Sequence, residues 1–402
     1  MDSMRKGQRW VLDSFLAIGG LDVLHPDAGA IFEQIGYDSN DLKRVFDPVK
    51  AGSMLPSAWA AAAREIEGRA QHWEHRGYAY TAKRLYERAT VLYARTHYSI
   101  LGEDPRRLRY LAKVISSFEK VIEHSKHPIE RVILPFEDKH LHGILETPLG
   151  AQQVPCVIML PGMDMFKEDW HKLIEQRILP RGWAGFALDG PGQGESLTKG
   201  LKMTLDNYDR AISHVIDYLS DHPAIDASRI VIMGSSMGSW WATRAAAVEP
   251  RIRAIAANMS NLGDKYVLLN QAQPSFMANL MFMTGITETE QIQALSQRMT
   301  LDDIAPKVEI PYLIITGEND ELTTLESTVD VYEKLNGPKE LWIYQYEFHP
   351  IGAQSDEWLT ASLDWLDQAM RNTFTPGYQK RTYITKQGQY LEGSGEPAWW
   401  NP

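Results

Sequence analysis

The chain has 402 residues, 44% of them hydrophobic and 23% charged, with a formal net charge of −11. That is an ordinary globular balance on a chain long enough for two or more domains, and it excludes the basic footprint of a nucleic-acid or anionic-membrane binder. A single cysteine, Cys156, excludes an intrachain disulfide framework and a thiolate metal site.

The N-terminal MDSMRKGQRWVLDSFLAIGG holds short apolar pieces broken by Asp13, without the apolar core or cleavage site of a secretory signal. No stretch reaches the ~18 apolar residues of a membrane span. The expectation is a soluble cytoplasmic protein that acts on a small molecule, with no nucleic acid or membrane as partner.

Residues 1–127 read as a helical N-terminal or cap domain. Two helices are predicted over AWAAAAREIEGRAQHWEHR and AYTAKRLYERATVLYARTH, separated by a cap at Gly77, and a third from Pro105 to about His124. Ala82, Leu85, Tyr86, Ala89, Tyr93 and Ala94 recur at three- and four-residue spacing and form one apolar stripe. The helix pair has the small-and-aromatic texture of a tetratricopeptide unit, but no second copy follows at a fixed period.

From 128 to 371 the pattern changes to short apolar runs closed by Gly, Pro or Asn turns. IERVILPF and HLHGILETP read as an opening hairpin; PCVIMLPG, GWAGFALDGPG, RIVIMGSS, IRAIAANMS and PYLIITGEND read as buried strands. Helices are predicted between them at 168–179, 205–220, 237–249 and 324–335. Wholly apolar strands alternating with helices specify a mostly parallel, doubly wound α/β sheet. Residues 260–305 carry no strand signal and collect Met277, Met281, Met283, Phe276 and Phe282, which suggests a cap over the C-terminal strand ends. Residues 372–402 form a polar and aromatic tail ending in PAWWNP, and it and the helical region are candidate dimer surfaces.

The chemistry centres on Gly234-Ser235-Ser236-Met237-Gly238, which fits G-x-S-x-G with Ser236 in the middle. The bare pattern is weak, but a buried strand precedes it and a helix follows, which is the strand–turn–helix context that presents a serine nucleophile. Ser235 and Ser239 are then steric residues of the turn. A serine needs a base oriented by an acid, and in this arrangement the chain order is Ser, acid, His. Asp320 stands at the tip of the turn after PYLIITG, flanked by Glu318 and Glu321, and His349 is the only histidine beyond it. Oxyanion N–H donors are expected from Met237 and from Met163 in the loop after PCVIMLPG. Asp164, Trp240, Met259, Phe276, Met281 and Phe282 are candidate pocket residues, with packing as the alternative role for Trp240 and loop bracing for Asp164. DGPGQGES lacks the spacing of a dinucleotide loop and reads as a tight turn near the pocket floor. His140 and His142 alternate on a strand and read as surface residues. No metal or cofactor is implied.

LPGMDMFKEDW, LDGPGQGES, MGSSMGS, TGENDE and FHPIG, in this order behind a helical region, resemble one subgroup of α/β-hydrolases. It includes 2,6-dihydroxypseudooxynicotine hydrolase, the fungal heptaketide-shortening hydrolases and the fermentation–respiration switch protein. The resemblance implies an α/β-hydrolase fold whose helical N-terminal domain helps cover the active site. It also implies triad roles for Ser236, Asp320 and His349. Hydrolysis of a carbon–carbon bond beside a ketone is the implied reaction, on a β-diketone or acyl-phenol. Some relatives add a carboxylate after the next strand, where this chain reads NMSNLGDKY and Asp264 is not a clear match. Carboxylic ester hydrolysis, acyl transfer or cyclisation, and a non-catalytic regulatory scaffold are the other readings.

Overall fold

A computed structural model of the chain describes residues 13, 16, 28–100, 102–271 and 274–393. The PAWWNP end of the tail and most of the N-terminal segment read above lie outside these residues. Within residues 28–127 the chain forms the helices α1 (Ala28–Gln34), α2 (Ser39–Phe46), α3 (Leu55–His75), α4 (Ala79–Tyr98) and α5 (Pro105–His124). Local signals set their ends. Asp38 caps α2 by accepting the Asn40 N–H at 3.0 Å. Asp104 caps α5 in the same way, ahead of Pro105 in the first turn. Gly77, at φ 77°, makes the left-handed turn between α3 and α4.

The rest of the chain builds one ten-stranded sheet in the order β1-β2-β4-β3-β5-β6-β7-β8-β9-β10. The strands are β1 (Ile129–Phe136), β2 (Lys139–Glu146), β3 (Val154–Leu160), β4 (Ala184–Asp189), β5 (Ile225–Ser236), β6 (Ile252–Ser260), β7 (Tyr312–Gly317), β8 (Lys339–Tyr344), β9 (Gln379–Ile384) and β10 (Tyr390–Glu392). β1 and β2 form the expected hairpin, and from β4 through β9 every neighbouring pair is parallel. Such strands are apolar throughout because helices cover both faces. On one face lie α6 (Asn207–Asp221), α7 (Met237–Ala246) and α11 (Leu325–Lys334), and on the other lie α12 (Ser355–Met370) and the N-terminal helices. Between β6 and β7 the chain makes α8 (Lys265–Gln271), α9 (Pro274–Thr284) and α10 (Thr289–Gln297), so the 260–305 insertion is helical. Among the described residues, no helix is long and apolar enough to cross a membrane.

One reading of the sequence, the surface placement of His142, is corrected, and the tail, whose arrangement the sequence leaves open, carries strands. Residues 379–384 and 390–392 of the tail are strands that extend the sheet edge; they are too short and too polar to show a period of their own. His142 is buried, 3.4 Å from Glu195, while its neighbour His140 is exposed as expected. Helix α4 also departs from a simple amphipathic pattern. Its apolar stripe is buried apart from half-buried Leu85, but so are Lys83, Glu87, Arg95 and His97 on other sides, because it is wedged between α3, α5 and the sheet domain. There Lys83 Nζ donates to Glu175 at 2.7 Å and also pairs with Glu87. His171 bridges Glu87 at 3.3 Å and Glu146 at 2.9 Å. The helical region is thus joined to the sheet by buried ion pairs as well as by apolar contact.

Candidate active site

Ser236 ends β5 with φ 54° and ψ −123°, a backbone conformation that a residue with a side chain rarely adopts. The turn closes only because Gly234 and Gly238 carry no side chain. A Cβ on Gly234 would lie 2.6 Å from the Gly238 carbonyl oxygen, and one on Gly238 would lie 2.8 Å from the Leu160 carbonyl carbon. The serine is lifted off the sheet and starts α7. Ser239 braces the turn, donating to the Ser236 carbonyl at 2.6 Å and accepting the Asn261 N–H at 3.0 Å.

The three residues expected to cooperate meet in space. His349 Nε2 lies 2.7 Å from Ser236 Oγ, and its Nδ1 lies 2.8 Å from Asp320 Oδ2. Asp320 is held by its own loop, its Oδ1 accepting the N–H groups of Leu322 at 2.8 Å and Thr323 at 2.9 Å. The flanking acids are braces. Glu321 accepts the His349 backbone N–H at 2.9 Å, and Glu318 accepts from Tyr346 N at 2.8 Å and Tyr383 OH at 3.0 Å. Burial disfavours the His349 imidazolium, but the adjacent Asp320 carboxylate outweighs it and holds the pKa above the ordinary value.

The loop carrying Met163 is fixed from below. Gln193, in the DGPGQGES turn, donates from Nε2 to the Gly162 carbonyl at 2.7 Å, and Tyr208 donates its hydroxyl to Gln193 Oε1. Lys167 is buried among three carboxylates: Glu168 at 2.9 Å, Asp189 at 3.0 Å and Glu195 at 3.0 Å. Asp189 further accepts the N–H groups of Lys167 and Glu195, both at 2.8 Å. The PGMDMFKED and DGPGQGES stretches are two halves of one ionic joint, which gives both motifs a physical reason.

A cavity of about 300 Å³ opens above Ser236. Met163, Asp164, Met259, Phe276 and His349 line it, as does apolar surface from the N-terminal helices, including Ile31, Phe46 and Trp59. Three expected pocket residues do not face it. Trp240 is buried behind the elbow, under Arg244 at 5.0 Å and Lys265 at 5.9 Å. On α9 the cavity takes Phe276 and Asn279; Met281 and Phe282 are rotated off that face by the helical period, and Phe282 lies between Arg107 at 4.4 Å and Lys202 at 4.8 Å. Asp264 is exposed and does not line the cavity. Arg95, Tyr98 and Asn279, which do line it, were not singled out by sequence. Helical periodicity marks apolar stripes and is silent on which polar residues of a helix turn toward a cavity.

A serine raised on a strand–helix elbow, a histidine behind it and an aspartate beyond, on a mostly parallel sheet, define an α/β-hydrolase. Residues 58–300 match the FrsA-like esterases, and the chain belongs to that family. An α/β-hydrolase of Xenoacremonium sinensis is 30% identical over 234 residues, 54% of each chain. The 2,6-dihydropseudooxynicotine hydrolase of Paenarthrobacter nicotinovorans is 31% identical over 196 residues, 49% of this chain and 52% of that one. The chain thus spans about half the length of the curated relatives it matches. The solved structure of 2,6-dihydroxy-pseudo-oxynicotine hydrolase matches with a TM-score of 0.76 at 23% identity, over 88% of this chain and 99% of that one. It shares the α/β-hydrolase fold with a helical N-terminal region.

Proposed function

We propose that the protein is a serine hydrolase that cleaves a carbon–carbon bond beside an activated ketone through an acyl-enzyme. The observation that supports this most is the Ser236–His349–Asp320 chain of hydrogen bonds, 2.7 and 2.8 Å, at the floor of a largely apolar cavity. His349 takes the Ser236 proton as Oγ attacks the carbonyl, and Asp320 holds the imidazole in the required tautomer. The oxyanion is received by the Met237 N–H, at the start of α7, and by the Met163 N–H. The tetrahedral adduct collapses with loss of the carbon leaving group, which His349 protonates. Water, activated by the same histidine, then releases the acid.

The carbon–carbon reading rests on the family resemblance and on the apolar lining. A β-diketone or acyl-phenol supplies a leaving group stable enough to depart. Ester hydrolysis uses the same machinery and is the second reading, favoured by the name of the matched family, esterase. Two assays test the proposal: labelling of Ser236 by a fluorophosphonate, and turnover of a β-diketone beside a p-nitrophenyl ester. Labelling with diketone turnover is expected, and fast ester turnover with an untouched diketone sinks the carbon–carbon reading. A cytoplasmic location is proposed from the single cysteine, which is buried; cell fractionation tests it.

A further inference from the structure

Apart from the triad residues, the cavity above Ser236 is largely apolar and carries one charged and polar patch. Arg95 and Tyr98 reach it from α4, Asp164 from the loop after β3 and Asn279 from α9. Three separate parts of the chain therefore bring polar groups to one wall.

Arg95 is rigidly held. Its Nη1 donates to Asp164 Oδ2 at 2.7 Å and its Nε to Tyr37 OH at 3.0 Å. The rings of Phe32, Tyr37 and Tyr98 surround the guanidinium at 4.8, 5.8 and 5.8 Å. A guanidinium carries five N–H donors, so these two bonds leave donors over on a residue that lines the cavity. Tyr98 accepts an N–H from Asn279 Nδ2 and keeps its own O–H to donate. The patch stands beside the nucleophile. Ser236 Cβ and Asp164 Oδ1 lie 3.2 and 3.6 Å from the point where a Cβ on Gly162 would sit.

A salt-bridged cation on the wall of an apolar pocket carries a desolvation cost that an apolar pair would not. An anionic or strongly polar ligand atom bound there offsets that cost. The triad and oxyanion donors already account for the scissile carbonyl. We infer that Arg95 and Tyr98 form a subsite for a second substrate oxygen, the enol or phenol oxygen conjugated to the bond that breaks. The inference rests on the acyl chemistry proposed for Ser236 and adds to it the residues that hold the leaving group's oxygen.

In this arrangement the Ser236 Oγ–carbon bond forms first, and the carbonyl carbon–carbon bond breaks as the tetrahedral adduct collapses. The electron pair moves onto the second oxygen as an enolate, held by Arg95 and Tyr98. His349 returns the serine proton to the carbon, and water then hydrolyses the acyl-enzyme. An aryl ester carries its departing oxygen on the acyl carbon itself, so that oxygen falls short of this subsite.

The test is whether kcat/KM falls more on a β-diketone than on aryl acetates. Aryl acetates from p-nitrophenyl to unsubstituted phenyl, and 1-phenylbutane-1,3-dione, are assayed on wild type, Arg95→Met, Arg95→Lys and Tyr98→Phe. Arg95→Met is expected to lower the diketone rate on the order of 100-fold, the scale of losing a developing-charge donor, and the aryl acetate rates only several-fold. Arg95→Lys should recover part of the difference. Tyr98→Phe removes a single hydroxyl, so it keeps the test open if Arg95→Met does not fold by circular dichroism. A loss equal across the series in the folded variants overturns the subsite while leaving the triad intact. Wild-type protein that resists fluorophosphonate overturns the triad reading and the subsite with it.

Discussion

The ammonium of Lys167 lies 3.0 Å from Asp189 Oδ2, and both side chains are almost wholly shielded from solvent. The pair locks the loop after β3 to the turn after β4, and the loop proposed to supply the Met163 oxyanion donor stands on that joint. Removing the cation would leave Asp189, Glu168 and Glu195 facing one another in a buried space. Lys167→Met is therefore expected to cost about 3–5 kcal/mol, the usual penalty for breaking a buried ion pair on one side. Urea denaturation measures it. A loss below about 1 kcal/mol, the range of exposed pairs, would show that the joint is not what holds the loop.

Gly238 packs against Leu160 with no room for a Cβ, and the same turn holds Ser236 at positive φ. Gly238→Ala must push β5 and β3 apart or unwind the first turn of α7. A destabilisation above about 3 kcal/mol is expected, at the upper end for overpacking because the obstacle is backbone. Thermal melting tests this against Gly263→Ala, where the nearest neighbours are the side chains of Thr323 and Ser327, at 3.2 and 3.3 Å. Equal melting temperatures would refute the steric account.

The elbow and the order of the other two residues were legible because each depends on local or one-dimensional information. Strand, glycine, serine, glycine and helix are contiguous, and His349 is the only histidine after Asp320. The parallel sheet was legible from its wholly apolar strands. The wall of the cavity was not. Arg95 lies outside the apolar stripe of α4, and only the approach of Phe32, Tyr37 and Asp164 from distant parts of the chain buries it. The rotation of α9 that selects Phe276 and Asn279 over Met281 and Phe282 is likewise a product of packing, in a helix apolar on several sides. β9 and β10 are sheet-edge additions stabilised by pairing with strands already in place.

His171 makes the junction of the helical region and the sheet pH-dependent. Burial alone would lower its pKa, but Glu146 and Glu87 on either side raise it to about 9. His127 shares Glu146 at 2.7 Å, and Lys83 and Arg84 pair with Glu87. The folded pKa lies above the unfolded value near 6.5, so the folded state keeps this proton after the unfolded chain has lost it. The stabilisation is complete below about pH 6.5, declines as pH rises and is gone above about 9. It amounts to roughly 3 kcal/mol, counted once, because the same contacts hold Glu87 down at about 2. Denaturation midpoints between pH 6 and 9.5 should fall in wild type and fall less in His171→Gln. Parallel profiles would remove His171 as the cause.

The pH dependence of activity follows from a different histidine with the same sign of shift. As the proposed base, His349 must be neutral to accept the Ser236 proton, so kcat/KM should rise as its imidazolium loses a proton. Burial pushes that pKa down, but the Asp320 carboxylate 2.8 Å away, aided by the charges of Glu321 and Asp164, pushes it up by more. The acid limb of the profile should therefore lie above the ordinary imidazole value of about 6.5. Asp320→Asn keeps the shape of the acid and removes its charge. Burial is then less opposed, and the limb should move to lower pH. The plateau should fall by about 10⁴, the loss seen when a triad acid becomes an amide and the histidine is held in the wrong tautomer. Asp164→Asn removes a smaller contribution, and its limb should move the same way by less. A kcat/KM profile from pH 5 to 9 on the three proteins checks both shifts. An acid limb that stays in place in Asp320→Asn would mean that His349 is not the base whose titration limits the reaction.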